Sequence, residues 1–178
     1  MTASVLLLAG PAGVGKSSTA ARLAERTGAV HVSEDRFWVD VRTGRPPGEL
    51  RTPAEQAVVQ ERVLGHVLEL VGAGRRVVLE LVLYEDPPRP VLRYQEGLAA
   101  AGVGLAIRIL RADAEEVLRR IQDRGRPSDL GRPGLRADAE HQVGVLDSPH
   151  IDPTWVLDTT HLPLDEVVDR LLPTVSWR

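Results

Sequence analysis

The chain has 178 residues, 43% of them hydrophobic and 26% charged, which is enough apolar mass for one packed domain and excludes a disordered or fibrous class. A formal charge of −3 and a pI near 6.0 argue against a broad nonspecific nucleic-acid surface. With no cysteine there is neither a disulfide nor a thiolate metal site, a composition that suits a reducing cytoplasm.

Taken in chain order, the apolar run from Ser4 to Ala9 predicts a buried strand ending at Gly10. It is too short, and too poor in basic residues ahead of it, for a signal peptide, and no apolar run reaches membrane-span length. A helix is expected from Lys16 to Arg26, stopped by Gly28, and a second strand from Ala29 to Ser33. The segment 42-RTGRPPGELRTP-53 reads as a loop. Thr52-Pro53 has the form of an N-cap with proline at the first helical position, opening a helix to about Gly72. Arg75 to Leu83 (RRVVLELVL) is the strongest buried-strand signal. A helix over Pro87 to Ala101, a strand over Gly104 to Leu110 and a helix over Asp113 to Asp123 follow. The stretch 124-RGRPSDLGRPGLR-136 breaks periodicity and reads as a mobile loop. A helix from about Ala137 to Leu146, a strand over Trp155 to Asp158 and a helix over Leu164 to Leu172 close the chain. Strands alternating with helices imply an α/β fold with a parallel sheet, in a single domain over residues 1–178.

The sharpest motif is 10-GPAGVGKSS-18, a complete Gly-x-x-x-x-Gly-Lys-Ser loop between a predicted strand and a predicted helix. Gly10, Gly13 and Gly15 let the backbone curl, so that the N–H groups of successive residues after Pro11, among them Ala12, Val14 and Ser18, point inward at phosphate oxygens, with Pro11 part of the same cofactor-binding loop but without an N–H of its own. The helix N-terminus adds its dipole. Lys16 is the one lysine beside 21 arginines. A compact ammonium fits the cradle between β- and γ-phosphates where a planar guanidinium does not. Ser17 offers a hydroxyl to Mg²⁺. The motif therefore points to ATP and Mg²⁺ as cofactors. A guanine-reading Asn-Lys-x-Asp motif is absent, because the one lysine is already used.

Three further groups carry chemistry. Glu34 and Asp35 end the second strand beside the loop, where strand ends line the site of a parallel sheet. Glu80 is an acid inside an apolar strand, which implies a role as a metal-holding or acceptor-binding carboxylate. Arg36, Trp38, Arg42, Arg45 and Arg51 cluster after the second strand, and Tyr84, Glu85 and Asp86 after the third; together they outline an acceptor pocket with Trp38 as a stacking wall. The histidines show no zinc-ligand spacing.

The loop GPAGVGKSS, the acidic strand end Ser33-Glu34-Asp35, the arginines from Arg119 to Arg136 and the late 158-DTTHLPLDEVVDRL-171 resemble the small-molecule P-loop kinases. That group includes gluconate kinase-like, shikimate kinase-like and chloramphenicol phosphotransferase-like proteins and the zeta-toxin kinases. The resemblance implies a five-stranded parallel sheet of order 2-3-1-4-5 with an Arg-rich lid near 124–136, and transfer of the ATP γ-phosphate to a small-molecule hydroxyl. It implies that Asp35 accepts the hydroxyl proton, with Glu34 as the alternate. Arg120, Arg124 and Arg126 match adenine-stacking and lid arginines, and Arg119, Arg132 and Arg136 follow them. Thr159, Thr160 and His161 fall where such kinases pass the adenine. A nucleoside, nucleotide or polynucleotide-end kinase and a nucleotide-binding regulator stay open as alternatives. The partners expected are ATP and a small-molecule acceptor, with no membrane, for a monomer or homodimer.

Overall fold

The computed structural model describes residues 4–41, 51–125 and 132–175. The strands are β1 (Val5–Ala9), β2 (Val30–Ser33), β3 (Val77–Glu80), β4 (Leu105–Arg111) and β5 (Val156–Asp158). They form one parallel sheet in the order β2-β3-β1-β4-β5, as the resemblance implies. The helices are α1 (Lys16–Thr27), α2 (Glu34–Val41), α3 (Pro53–Gly72), α4 (Arg89–Ala100), α5 (Ala114–Arg124), α6 (Leu135–Val145) and α7 (Leu164–Leu171).

β1 is buried along its whole length because it is central and helices cover both faces, which explains its uninterrupted apolar run. On one face, Leu7 and Leu79 pack with Val59, Val63 and Val67 of α3 and Tyr94 and Leu98 of α4. On the other, Leu6 and Leu8 pack with Leu23 of α1, Val117 and Ile121 of α5, and Val168 and Leu171 of α7. α3 begins as the sequence predicts. Thr52 Oγ1 accepts from the Glu55 backbone N–H at 3.2 Å, and Glu55 Oε2 accepts from the Thr52 backbone N–H at 2.8 Å.

Register places the chemistry. Glu80 lies opposite Leu8 on one side and Ser33 on the other. The carboxyl ends of β1, β2 and β3 are therefore level, and each leads straight into a site segment. β3 ends at Glu80, short of its apolar run, where its pairing with β2 stops at Ser33. Beyond Glu80 the chain stays beside β1 through Leu81 N–H to Leu8 O (3.1 Å) and Leu83 N–H to Gly10 O (2.9 Å).

One element was not predicted and one boundary is corrected. A further helix, α2, starts at Glu34, directly at the end of β2. Of the segment expected to be a loop at 124–136, Arg124 belongs to α5 and residues 135–136 to α6, with Gly125 (φ +61°) and Gly134 (φ +79°) as the left-handed caps. Arg126 falls outside the described residues, as do Arg42 and Arg45.

Candidate functional site

The phosphate loop occupies the turn between β1 and α1, and its glycines are needed for different reasons. A Cβ on Gly10 (φ +147°) would lie 2.4 Å from the Leu110 carbonyl oxygen of β4. One on Gly13 (φ +85°) would lie 2.5 Å from the Ile121 side chain. At Gly15 (φ +105°) nothing lies within 4 Å; the constraint there is the backbone angle alone. Lys16 is 7% exposed and donates from Nζ to the Pro11 carbonyl at 2.8 Å, so its ammonium spans the loop. Burial pulls its pKa down to about 8, against the opposing pull of Glu80 and Asp35, while Arg124 lowers it further. The Ala12 backbone N–H donates to Gln142 Oε1 of α6 at 2.7 Å.

Two cavities meet at this loop. The smaller, about 640 Å³, lies between Val14, Gly15, Ser18 and Thr19 on one side and Thr159, Thr160, His161 and Leu162 on the other. Arg120 forms its end wall and is a strut. Its guanidinium donates to Val14 O (2.9 Å), Thr159 O (2.6 Å) and Thr160 O (3.3 Å) and pairs with Glu116 at 2.7 Å. The edge of Arg120 is thus fully engaged by protein, leaving only its planar face for a base. Thr160 is held by its own turn, donating from Oγ1 to Asp158 Oδ1 at 2.7 Å and accepting from the Asp113 N–H at 3.1 Å. Arg119 also lines this cavity and pairs with Glu116 and Asp123.

The larger cavity, about 1300 Å³, holds Lys16, Ser17, Asp35, Glu80, Tyr84, Glu85, Arg51, Arg124, Arg132 and Gln142. It therefore joins most of the sequence-predicted residues in one cleft. Glu80 is 5% exposed, and its Oε1 stands 3.4 Å from His31 Nε2. Burial opposes its charge most strongly. The neighbouring His31, Ser33 and Ser17 side chains and the Lys16 ammonium together outweigh burial and hold it below the usual carboxylate range. Glu80 Oε2 is a buried acceptor with no hydrogen-bond partner, an arrangement that fits a cation beside it. No cluster of three or more His, Cys, Asp or Glu able to hold a metal occurs among the described residues. The Ser17 hydroxyl and the Glu80 carboxylate, both on the cleft, fit Mg²⁺, which keeps waters and phosphate oxygens and needs few ligands from the protein.

Glu34 and Asp35 separate. Asp35 is exposed and lines the cleft, with its Oδ1 3.7 Å from an Arg51 nitrogen. Glu34 is buried away from the cleft, accepting from Tyr94 Oη–H at 2.8 Å and Trp38 Nε1–H at 3.3 Å. Burial raises its pKa, and those two donors oppose the rise.

Three acceptor-side expectations are corrected. Trp38 is 3% exposed and packs in the core, so it offers no wall to a ligand; the Arg51 guanidinium covers its ring at 4.3 Å instead. Because α2 starts at Glu34, Trp38 falls one turn later on the same inward stripe. Arg36 is exposed on α2 and does not line the cleft. Asp86 also lies outside it, bonded to Ser148 at 2.6 Å and His150 at 2.9 Å. Arg136 is exposed and pairs with Glu115.

The structure adds residues that sequence reasoning missed. Gln56 of α3 donates to Glu85 Oε1 at 3.3 Å. His31 lies under Glu80. His141 meets the Tyr84 carbonyl at 3.1 Å, and Gln142 meets the loop itself. Asp138, His141 and Gln142 form an i, i+3, i+4 polar face of α6, a spacing present in the sequence but without meaning until α6 is docked over the cleft.

A family model, AAA_33, described as an AAA domain, matches residues 5–143. A tRNA dimethylallyltransferase of Dinoroseobacter shibae is 29% identical over 181 residues, covering 89% of this chain and 55% of that protein. The same enzyme of Nitrobacter hamburgensis is 45% identical over 69 residues, 36% of this chain and 20% of that protein. The chain thus spans about half the length, or less, of these curated relatives. Among solved structures, the Deinococcus radiodurans tunicamycin resistance protein superposes with a TM-score of 0.73 at 17% identity, covering 98% of this chain and 96% of that one. A Sinorhizobium meliloti gluconokinase gives 0.62 at 18%, covering 98% and 91%. The shared architecture is the P-loop kinase fold. No helix among the described residues is long and apolar enough to cross a membrane.

Proposed function

The chain belongs to the AAA domain family, and from that premise we propose that it is an ATP- and Mg²⁺-dependent kinase transferring the γ-phosphate to a hydroxyl of a small molecule. The carrying observation is that Lys16, Ser17, Glu80, Asp35 and Arg124 line one cleft, which shares Gly15, Ser18 and Arg120 with the smaller cavity roomy enough for a nucleoside. In this reading the adenine enters beside Arg120 and Thr160, and the phosphates run along the loop from Ser18 toward Ala12. Ser17 and Glu80 would hold Mg²⁺, which would supply charge neutralisation for the phosphates.

Transfer needs positioning more than covalent chemistry. The acceptor oxygen bonds to the γ-phosphorus as its proton passes to the Asp35 carboxylate. The bond from that phosphorus to the β–γ bridging oxygen breaks, and ADP leaves. Lys16 and Arg124 stabilise the charge spread over the transferring group. Arg51, Tyr84, Glu85 and Gln56 bound the acceptor end, a mixed-charge surface suited to a hydroxylated metabolite, sugar acid or antibiotic. A cysteine-free chain in this reading works in the cytoplasm.

The curated relatives are named for a dimethylallyl transfer to tRNA. A polyanion of that size calls for a basic face, and the net charge of −3 favours a small acceptor.

The test is ADP release from Mg·ATP across pools of hydroxylated metabolites, sugar acids and antibiotics, with Asp35→Asn alongside. Stimulation by one pool, abolished in the variant while ATP still binds, supports the kinase reading and identifies the acceptor class. ATP binding with no stimulation by any pool favours a nucleotide-dependent regulator.

A further inference from the structure

Lys16 Nζ and the Val14 N–H reach a partner within the loop itself, the Pro11 carbonyl, whereas the Ala12 N–H finds its partner on a distant helix. It donates to Gln142 Oε1 at 2.7 Å, across 130 positions of sequence. A backbone N–H can only donate, so the amide oxygen must face it. The other end of the same side chain, Nε2 with two N–H bonds, has no hydrogen-bond partner among the described residues. Gln142 is half-buried and lines the transfer cleft.

The position along the loop matters. Val14 and Thr19 line the smaller cavity, Gly15 and Ser18 line both, and Ala12 lines only the transfer cleft. A nucleotide with its base beside Thr160 therefore brings the phosphate farthest from the base to the Ala12 end. That phosphate arrives where an amide has its oxygen engaged and its two N–H bonds unused.

Resting on the kinase reading, we propose that Gln142 is a terminal-phosphate contact carried by α6: Oε1 anchors it to the loop at Ala12, and Nε2 donates to the γ-phosphate. The side chain distinguishes nucleoside triphosphate from diphosphate, because only the triphosphate reaches it. It also makes α6 part of the nucleotide site. The second α6 contact, His141 to the Tyr84 carbonyl at 3.1 Å, fixes the same helix to the opposite wall and sets where Gln142 stands.

The experiment measures binding of Mg·AMP-PNP and Mg·ADP by calorimetry to the full chain and to two variants, so no acceptor is needed. Gln142→Ala removes both the anchor and the donor. Gln142→Glu keeps an oxygen for Ala12 but replaces the donor with a carboxylate oxygen. AMP-PNP is expected to bind about tenfold more weakly to the alanine variant and weaker still to the glutamate variant, with ADP affinity within about twofold of the parent. A loss shared equally by both nucleotides in Gln142→Ala, with Gln142→Glu behaving as the parent, would make Gln142 a strut of the loop and overturn the proposal. Unchanged or tighter AMP-PNP binding overturns it too, since Gln142 would then be idle or a competitor for the phosphate position. Should the parent chain bind neither nucleotide, the kinase reading itself falls.

Discussion

Glu34 and Asp35 are consecutive residues with opposite fates: the Glu34 carboxylate accepts from Tyr94 Oη–H at 2.8 Å in the core, and Asp35 stands in the cleft 3.7 Å from Arg51. The first turn of α2 separates them, and substitution should separate them again. Asp35→Asn is expected to lower phosphoryl transfer by at least a hundredfold with a melting temperature close to the parent's, because an exposed carboxylate is replaced by an isostere. Glu34→Ala leaves two buried donors, Tyr94 Oη–H and Trp38 Nε1–H, without acceptors. A loss of about 1–3 kcal/mol by chemical denaturation is expected. Equal stability losses in the two variants would contradict this division.

The buried state of Glu34 also sets a pH dependence. Its folded-state pKa is raised by burial, so between the unfolded value near 4.5 and the raised value the folded chain binds the extra proton. Over that window stability falls as pH rises. Glu34→Gln removes the titration and keeps an acceptor. Its stability relative to the parent should therefore improve on going from pH 4.5 to pH 7, as read by urea melts at both. A difference that stays flat over that range would mean that Glu34 titrates normally.

Lys16 gives a second, opposite case. Its pKa in the nucleotide-free protein is about 8, below the ordinary 10.5, because burial disfavours the ammonium. Triphosphate oxygens around Nζ restore the charged form. Binding ATP near pH 8.5 should thus take up protons, seen as a calorimetric enthalpy that changes with the buffer's ionisation heat. At pH 6.5, where Lys16 is already charged, its share of the uptake vanishes, and affinity should fall as pH climbs above about 8. The same proton uptake at both pH values would show that Lys16 does not titrate on binding.

Legibility in the sequence followed how local each feature is. The strand, glycine loop and helix from Val5 to Thr27 are set by neighbours in the chain, and so is the Thr52–Glu55 cap; both were readable. The sheet order came through the resemblance, since no local pattern says which strands are neighbours. The inward turn of Trp38 was not readable, because it depends on α2 starting at Glu34 and on which face α2 presents to the sheet. Arg120 carried the right neighbourhood, but its added part as a strut was not legible: its acceptors come from the phosphate loop, α5 and the turn after β5, segments that meet only in the fold. Gln142 was invisible for the same reason.

Arg120 should accordingly behave as a structural residue with a binding consequence. Arg120→Ala frees the Val14 and Thr159 carbonyls from a charged donor and leaves Glu116 with Arg119 alone. The part-buried, multidentate geometry predicts a loss of about 1–3 kcal/mol together with weaker ATP binding. Arg120→Lys should recover little, because a point ammonium cannot reach carbonyls on two segments at once. Full rescue by lysine would reduce the role to charge.

Gly13 and Gly15 provide the sharpest contrast, since both sit at positive φ in one loop but in different surroundings. An alanine Cβ at position 13 would press against Ile121 at 2.5 Å, forcing α5 to shift, in addition to the backbone penalty. Overpacking and left-handed strain together predict a stability loss of about 2–4 kcal/mol for Gly13→Ala. At position 15 the same methyl meets nothing within 4 Å, so only the backbone term applies, about 1 kcal/mol. The cost of Gly15→Ala should appear instead in nucleotide affinity, because the loop relaxes away from φ +105° and its N–H groups lose their common aim. Thermal melts without nucleotide, paired with AMP-PNP titrations, separate the two: the first variant should lose mainly stability and the second mainly binding. The reverse ranking would mean that α5 yields easily and that the packing of Ile121 against the loop contributes little to holding it.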